Sequence, residues 1–382
     1  MIHLDDIVGQ DTAVGQLRRA YESGRWPHAL LFAGSEGVGR RTTALALAEL
    51  LLCERPGGGA GGPSLFGGEV EPVPPTACGE CEDCRMTAGG SHPDLHVVRK
   101  ELAAYHDDTN VRNRRMQNLG IDVIRQFLIR PAGAAPSRGR GKVFVVLEAD
   151  LLTDGAQNAL LKTLEEPPSG ATIILICRQV EQLLPTTRSR SALVRFAPLP
   201  REFVAERLAE AGVPPGEAEY WAALTGGSLG RSLAAHERGL YEVKRDLLAR
   251  VANAAEDEEL SERLEKAMDK LSRKLVSESR RGDAPQLAVS VANRRAAGML
   301  LEIVSGAFRD AMSDRAGRAG PPINADQPEV VDRLAGRFDA RELAGAIEQL
   351  CRYEQLLWRN VSTKTLWENV AVTCASAAAL RV

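Results

Sequence analysis

The chain has 382 residues, 44% of them hydrophobic and 26% charged, too long for one ordinary core and enough for two or three globular domains. Its formal charge of -3 excludes a whole-chain attraction to nucleic acid, so any DNA contact has to come from local patches or from partner subunits. No opening basic-then-apolar segment reads as a signal peptide, and no uncharged apolar run approaches the ~20 residues a membrane-spanning helix needs, so a cytoplasmic location is expected.

Apolar runs at 29–33, 143–147 and 172–176 predict buried strands, and 42–52 predicts a helix. Strand and helix alternate, which predicts an α/β domain: a parallel sheet covered on both faces, with ligands beyond the carboxyl ends of the strands. The stretch 57–75 is rich in Gly and Pro and poor in large apolar side chains, and is expected to be a flexible surface insertion. After Pro198 and Pro200 the pattern turns helical, with Leu260, Leu264, Leu271 and Leu275 on one apolar face. Gly226 and Gly227 close a short helix, longer charged helices begin near Leu240, and 317–328 reads as a loop. The expected division is 1–198 for the α/β domain, 199–238 for a small helical domain and 239–382 for a larger helical bundle.

Gly34-Ser-Glu-Gly37-Val-Gly39-Arg40-Arg41 follows a strand and opens a helix, where a glycine-rich turn aims backbone N–H groups and the positive helix end at phosphates. The lysine that would reach the terminal phosphates is Arg40, and the hydroxyl that would ligate magnesium is Arg41. Thr42 comes one residue later, rotated by ~100° on the helix, a poor substitute. The second acidic motif is also altered: 145–150 ends its strand with Glu148 and then Asp150, and no adjacent Asp-Glu pair. Binding and hydrolysis of magnesium ATP are not expected, and the phosphate loop is read as vestigial.

Cys53, Cys78, Cys81 and Cys84 gather in one region while Cys177, Cys351 and Cys374 are scattered. Four thiolates with this spacing match a closed, structural zinc site in ligand type and number, within a module at 53–84. An iron–sulfur cluster is the alternative, but no further cysteine and proline follow Cys84 as in the usual ferredoxin run. Glu80, Glu82 and Asp83 make the module locally acidic, against a free-standing nucleic-acid binder. Two basic strings, Arg112, Arg114, Arg115 and Arg138, Arg140, Lys142, are candidates for phosphate contact.

Three more segments, Asn158-Ala-Leu-Leu-Lys-Thr-Leu-Glu-Glu-Pro-Pro168, Ser189-Arg190-Ser191 and Gly227-Ser-Leu-Gly-Arg231, together resemble the bacterial clamp-loader subunits, an AAA+ family, over residues 7 to about 367. The resemblance implies an AAA+ P-loop domain, a helical lid at 199–238 and a helical collar at 239–382 that holds five subunits in a ring, with 356–367 similar to its closing helix and turn. In that family a Ser-Arg-Cys motif supplies an arginine finger to ATP held by the neighbouring subunit. Arg190, beside Ser189, matches the arginine, and Ser191 replaces the cysteine. An arginine placed in trans neutralises charge on the transferring phosphoryl group and is worth ~10³-fold or more in rate. Cys177 stands where active relatives carry a polar sensor and Gly230 where they carry a sensor arginine. Val8, Gly9 and Gln10 resemble the segment beside the adenine pocket and are read as packing residues. The resemblance also implies a structural zinc on Cys53, Cys78, Cys81 and Cys84. Its partners would be the other clamp-loader subunits, delta and gamma/tau, in a hetero-pentamer, the sliding clamp, and primed DNA through the assembled complex. The expected role is a non-hydrolysing subunit of the DNA polymerase III clamp loader, the alternative an active ATPase subunit of the gamma/tau kind.

Overall fold

The computed structural model describes residues 2–59, 62–63, 69–70, 73–112, 118–168, 170–279, 287–317, 320–357, 359 and 361–376. The chain divides into two compact units, Met1–Leu199 and Pro200–Val382.

The first unit is built on five parallel strands, β1 Ala29–Ala33, β2 Leu95–Val98, β3 Lys142–Val146, β4 Ala171–Cys177 and β5 Ala192–Arg195, in the spatial order β2-β3-β4-β1-β5. β1, β3 and β4 are buried along their whole length, because helices cover both faces and leave no polar side to alternate with. Leu31, Phe144, Ile173 and Leu175 fill one face, and Leu30, Phe32, Val143, Val145 and Ile174 the other. The order places β1 beside β4, with Ala33 opposite both Cys177 and Arg195. The chain thus brings the end of β1, where the glycine-rich turn begins, against the last residues of β4 and β5.

Four helices matter to the site: α1 Asp11–Glu22, α2 Arg40–Leu52, α3 Glu82–Ala88 and α4 Asp154–Glu165. The Thr153 side chain caps α4 by accepting from the Ala156 N–H, which satisfies one of the orphan donors of the first turn.

The insertion is not structureless over its described part. Gly57–Gly59 pairs antiparallel with Val73–Thr76, and Gly62–Pro63 with Glu69–Val70. Backbone pairing needs no buried side chain, so composition alone did not exclude it. The remaining positions of that stretch, 60–61, 64–68 and 71–72, lie outside the described residues, and the expectation of flexibility falls partly on them.

Among its described residues the second unit's regular elements are all helices: α5 Arg201–Glu210, α6 Pro215–Leu224, α7 Leu229–Glu237, α8 Leu240–Ala252, α9 Leu260–Ser279, α10 Val289–Arg315, α11 Pro328–Arg337, α12 Ala340–Leu356 and α13 Thr363–Ala375. Leu260, Leu264, Leu271 and Leu275 are all buried on α9. Lys244 of α8 is fully buried and donates to both oxygens of Asp326 at 2.6 and 2.7 Å.

Candidate functional site

The glycine-rich turn has the backbone its sequence calls for. Gly37 and Gly39 adopt φ of 77° and 103°, the left-handed region that only glycine enters without strain. At Gly34 a Cβ would stand 2.4 Å from the Phe196 carbonyl oxygen, so the turn and the end of β5 meet only because this position has no side chain.

Arg40 opens α2 and is buried, not solvated. Its Nη1 donates to the Cys177 carbonyl, the same oxygen that accepts the Gly34 N–H at 3.4 Å. The guanidinium therefore lies across the carboxyl ends of β1 and β4, the crevice where a sheet of this kind would receive phosphate. Burial pulls the Arg40 pKa below the usual arginine value, while Cys177, Asp150 and Glu36 pull it up. An arginine remains cationic across such a shift. Arg41 points to solvent, and the Thr43 hydroxyl bonds back to Gly39 O at 2.9 Å.

Both carboxylates at the tip of β3 are already paired. Glu148, the one non-glycine with positive φ among the described residues, at 53°, accepts from Lys100 Nζ at 2.9 Å. Asp150, its side chain almost wholly buried, pairs with Arg178 Nε at 3.2 Å. Beside the turn, the Gln10 amide donates to Val38 O and Ala197 O, at 3.1 and 2.8 Å, and accepts from Ala197 N–H at 3.1 Å. Gln10 thereby ties the phosphate-loop backbone to the segment after β5.

Arg190 caps the short helix Pro185–Ser189 at its carboxyl end and is about one-third exposed. Its Nε donates to Glu165 at 2.5 Å, its Nη2 pairs with the same carboxylate, and its Nη1 donates to Thr186 O at 3.0 Å. The Ser189 hydroxyl donates to Thr186 O at 3.1 Å and the Ser191 hydroxyl to Thr187 O at 3.1 Å.

The four cysteines converge. Their sulfurs all lie within 4.8 Å of one another, with Cys53 to Cys81 at 4.0 Å and Cys78 to Cys84 at 3.9 Å. Tetrahedral thiolate ligation at about 2.3 Å per bond puts sulfurs about 3.8 Å apart, so the spacing fits a single metal ion. Cys53 ends α2 and Cys81 and Cys84 open α3. Backbone N–H groups of Glu80 and Cys81 draw the Cys78 thiol down to about 6, whereas burial pushes Cys53 and Cys84 up. A cation among them would reverse that penalty by favouring the thiolates.

The basic string at 138–142 has partners within the chain. Arg138 donates to Asp83 at 2.8 Å, Glu82 at 2.7 Å and Glu54 at 3.2 Å, Arg140 to Glu54 O at 2.9 Å, and Lys142 Nζ to Pro131 O at 2.8 Å. Arg138 and Arg140 thus tie the cysteine module to the segment leading into β3, and both remain exposed. The acidity at Glu82 and Asp83 is the other half of that tie. Of the second string, Arg114 and Arg115 lie outside the described residues, and Arg112 donates to the Thr109 hydroxyl at 2.8 Å.

Sequence comparison turns this geometry into a family. A profile described as DNA polymerase III, delta subunit, matches residues 9–200, and one for the C-terminal part of a DNA polymerase III delta subunit matches 259–369. The chain is 27% identical to DNA polymerase III subunit delta' of Escherichia coli K12, over 90% of this chain and 86% of that one. The chain belongs to the delta-prime family. A Bacillus subtilis delta' is 32% identical over 55% of this chain and 54% of its own, and a Mycobacterium tuberculosis gamma/tau subunit is 32% identical over 56% of this chain and 33% of its own. Among solved structures, a gamma-subunit-related protein of Thermotoga maritima covers 96% of this chain and 99% of its own at 15% identity, with a TM-score of 0.44. Delta-prime membership makes the chain a clamp-loader subunit of the DNA polymerase III complex. No helix among the described residues is long and apolar enough to cross a membrane.

Proposed function

We propose that this delta-prime family member is a non-hydrolysing clamp-loader subunit whose nucleotide site is silent and whose Arg190 acts on ATP bound by a neighbouring subunit. The observation that carries the reading is Arg40: the residue that replaces the P-loop lysine turns inward onto the Cys177 carbonyl, so a fixed cation occupies the crevice. Arg41 cannot ligate magnesium, and Glu148 and Asp150 are engaged by Lys100 and Arg178. These departures count against the alternative of an active ATPase subunit.

The cysteine module holds a structural zinc on Cys53, Cys78, Cys81 and Cys84, which when bound ties the end of α2 to the start of α3. A closed four-thiolate site leaves no position for a substrate. The helical unit supplies a lid at 199–238 and a collar at 239–382 that packs against the delta and gamma/tau subunits. The assembled ring opens the sliding clamp and places it on primed DNA.

ATP binding by the purified chain, followed by ATP turnover of the reconstituted loader with wild-type or Arg190→Ala chain, tests the reading. An inert isolated chain and a slowed Arg190→Ala loader support it. Turnover by the isolated chain would overturn it in favour of the ATPase.

A further inference from the structure

Two motifs that stand apart in the sequence, the 158–168 run and Ser189-Arg190-Ser191, meet through α4. At the start of the short helix Pro185–Ser189, the Leu184 N–H donates to Gln157 Oε1 at 2.8 Å, and the fully buried Gln157 amide donates in turn to Leu152 O at 3.2 Å. At its end, Arg190 lies on Glu165. Gln157 and Glu165 are eight positions apart on one helix, about 12 Å of rise. A single rigid element therefore holds both ends of the segment that carries Arg190.

The hold is directional. A guanidinium has five N–H groups in a fixed fork. Glu165 takes the side edge, Nε and Nη2, while Nη1 donates to Thr186 O at 3.0 Å and, at the long distance of 3.4 Å, to the Ser189 hydroxyl. The second hydrogen of Nη2 and the Nη1 hydrogen held only by the long Ser189 contact make up the end edge, the pair suited to two oxygens of a phosphoryl group. A free arginine loses its rotamer freedom when it engages a ligand, and an arginine already fixed does not.

We infer that Glu165 is a positioning residue for Arg190, fixing the guanidinium so that its end edge is presented to the partner's phosphates; this rests on the arginine-finger reading. Both side chains of the pair are partly exposed, and such pairs add little to folding stability. The effect of Glu165 therefore falls on rate and not on fold.

The test is steady-state ATP turnover by the reconstituted loader with clamp and primed DNA, with kcat and KM measured for wild type, Glu165→Ala, Glu165→Gln, Arg190→Ala and the double Ala variant. Glu165→Ala should lower kcat about two- to threefold with KM for ATP unchanged, and Glu165→Gln, which keeps an acceptor, should recover most of the loss. In the Arg190→Ala background Glu165→Ala should change nothing further. Unchanged or faster turnover by Glu165→Ala, or a loss that multiplies that of Arg190→Ala, overturns the inference while the finger reading stands. Unchanged turnover by Arg190→Ala overturns both. Should Glu165→Ala fail to assemble, Glu165→Ser, too short to reach Arg190, carries the same comparison: its kcat must lie between wild type and Arg190→Ala, and equality with wild type overturns the inference.

Discussion

Replacing Asp326 with alanine would strand a charge inside the helical unit. Lys244 is held by both Asp326 oxygens, the Tyr241 hydroxyl donates to the same carboxylate at 2.8 Å, and the Tyr220 ring lies 4.2 Å from the ammonium. Burial pulls the Lys244 pKa below the ordinary 10.5 and Asp326 pushes it back up. Without Asp326 the lysine can escape by giving up its proton, which at pH 7 costs at most about 5 kcal/mol at 1.36 kcal/mol per pH unit. The Tyr220 face offsets about 1 kcal/mol, leaving a loss of about 3–4 kcal/mol, the range for removing one partner of a buried pair. The double variant Lys244→Met/Asp326→Ala keeps the stem and removes both charges, so it should stay within about 2 kcal/mol of wild type. Urea denaturation read by tryptophan fluorescence is the assay, since Trp221 and Trp367 are both buried in this unit. With a slope of about 2 kcal/mol/M, Asp326→Ala should lower the midpoint by about 1.5–2 M. A midpoint within about 0.5 M of wild type, or a double variant no better than the single, would refute the reasoning.

Elemental analysis of chain purified without chelator should find one zinc per chain, and Cys84→Ser should abolish it. Zinc added to metal-free chain at pH 7.5 should release a proton each from Cys53 and Cys84, whose thiols burial keeps protonated, and little from Cys78, already near 6; a pH-stat titration without proton release would contradict thiolate ligation. Arg138→Ala should loosen the module, because buried Asp83 loses a charged donor, and limited proteolysis should then cut it faster than in wild type. Restoring the P-loop letters with Arg40→Lys/Arg41→Thr should still give no ATP turnover by the isolated chain, because Glu148 and Asp150 stay committed to Lys100 and Arg178; turnover above background would show that those pairs yield to magnesium.

The parts of this protein written in consecutive residues were legible, and the parts written between distant residues were not. The apolar runs of β1, β3 and β4 announced themselves because each is buried on both faces. β2 and β5 did not: each has only four residues, and β2 carries the partly buried His96, which stacks on Phe144 at 4.7 Å. The departure of the phosphate loop from the usual lysine and hydroxyl could be read from Arg40 and Arg41 alone, yet the inward turn of Arg40 depends on Cys177, far along the chain. Convergence of the four cysteines followed from their clustering. What Arg138, Arg140 and Lys142 bind within the chain was not legible, since a run of cations looks the same whether it faces only solvent or also holds carboxylates and carbonyls elsewhere in the fold. The contact of Glu165 with Arg190 lay hidden between two motifs that each looked complete.

The central claim is that Arg190 serves an ATP that this chain does not hold. The measurement that reaches it most directly is ATP turnover by the reconstituted loader, with clamp and primed DNA, carrying Arg190→Ala in this chain alone. Total turnover should fall about threefold or more, limited by sites this chain does not face, against the ~10³-fold or larger contribution of a finger at its own site. A rate equal to that of the wild-type assembly would contradict the account.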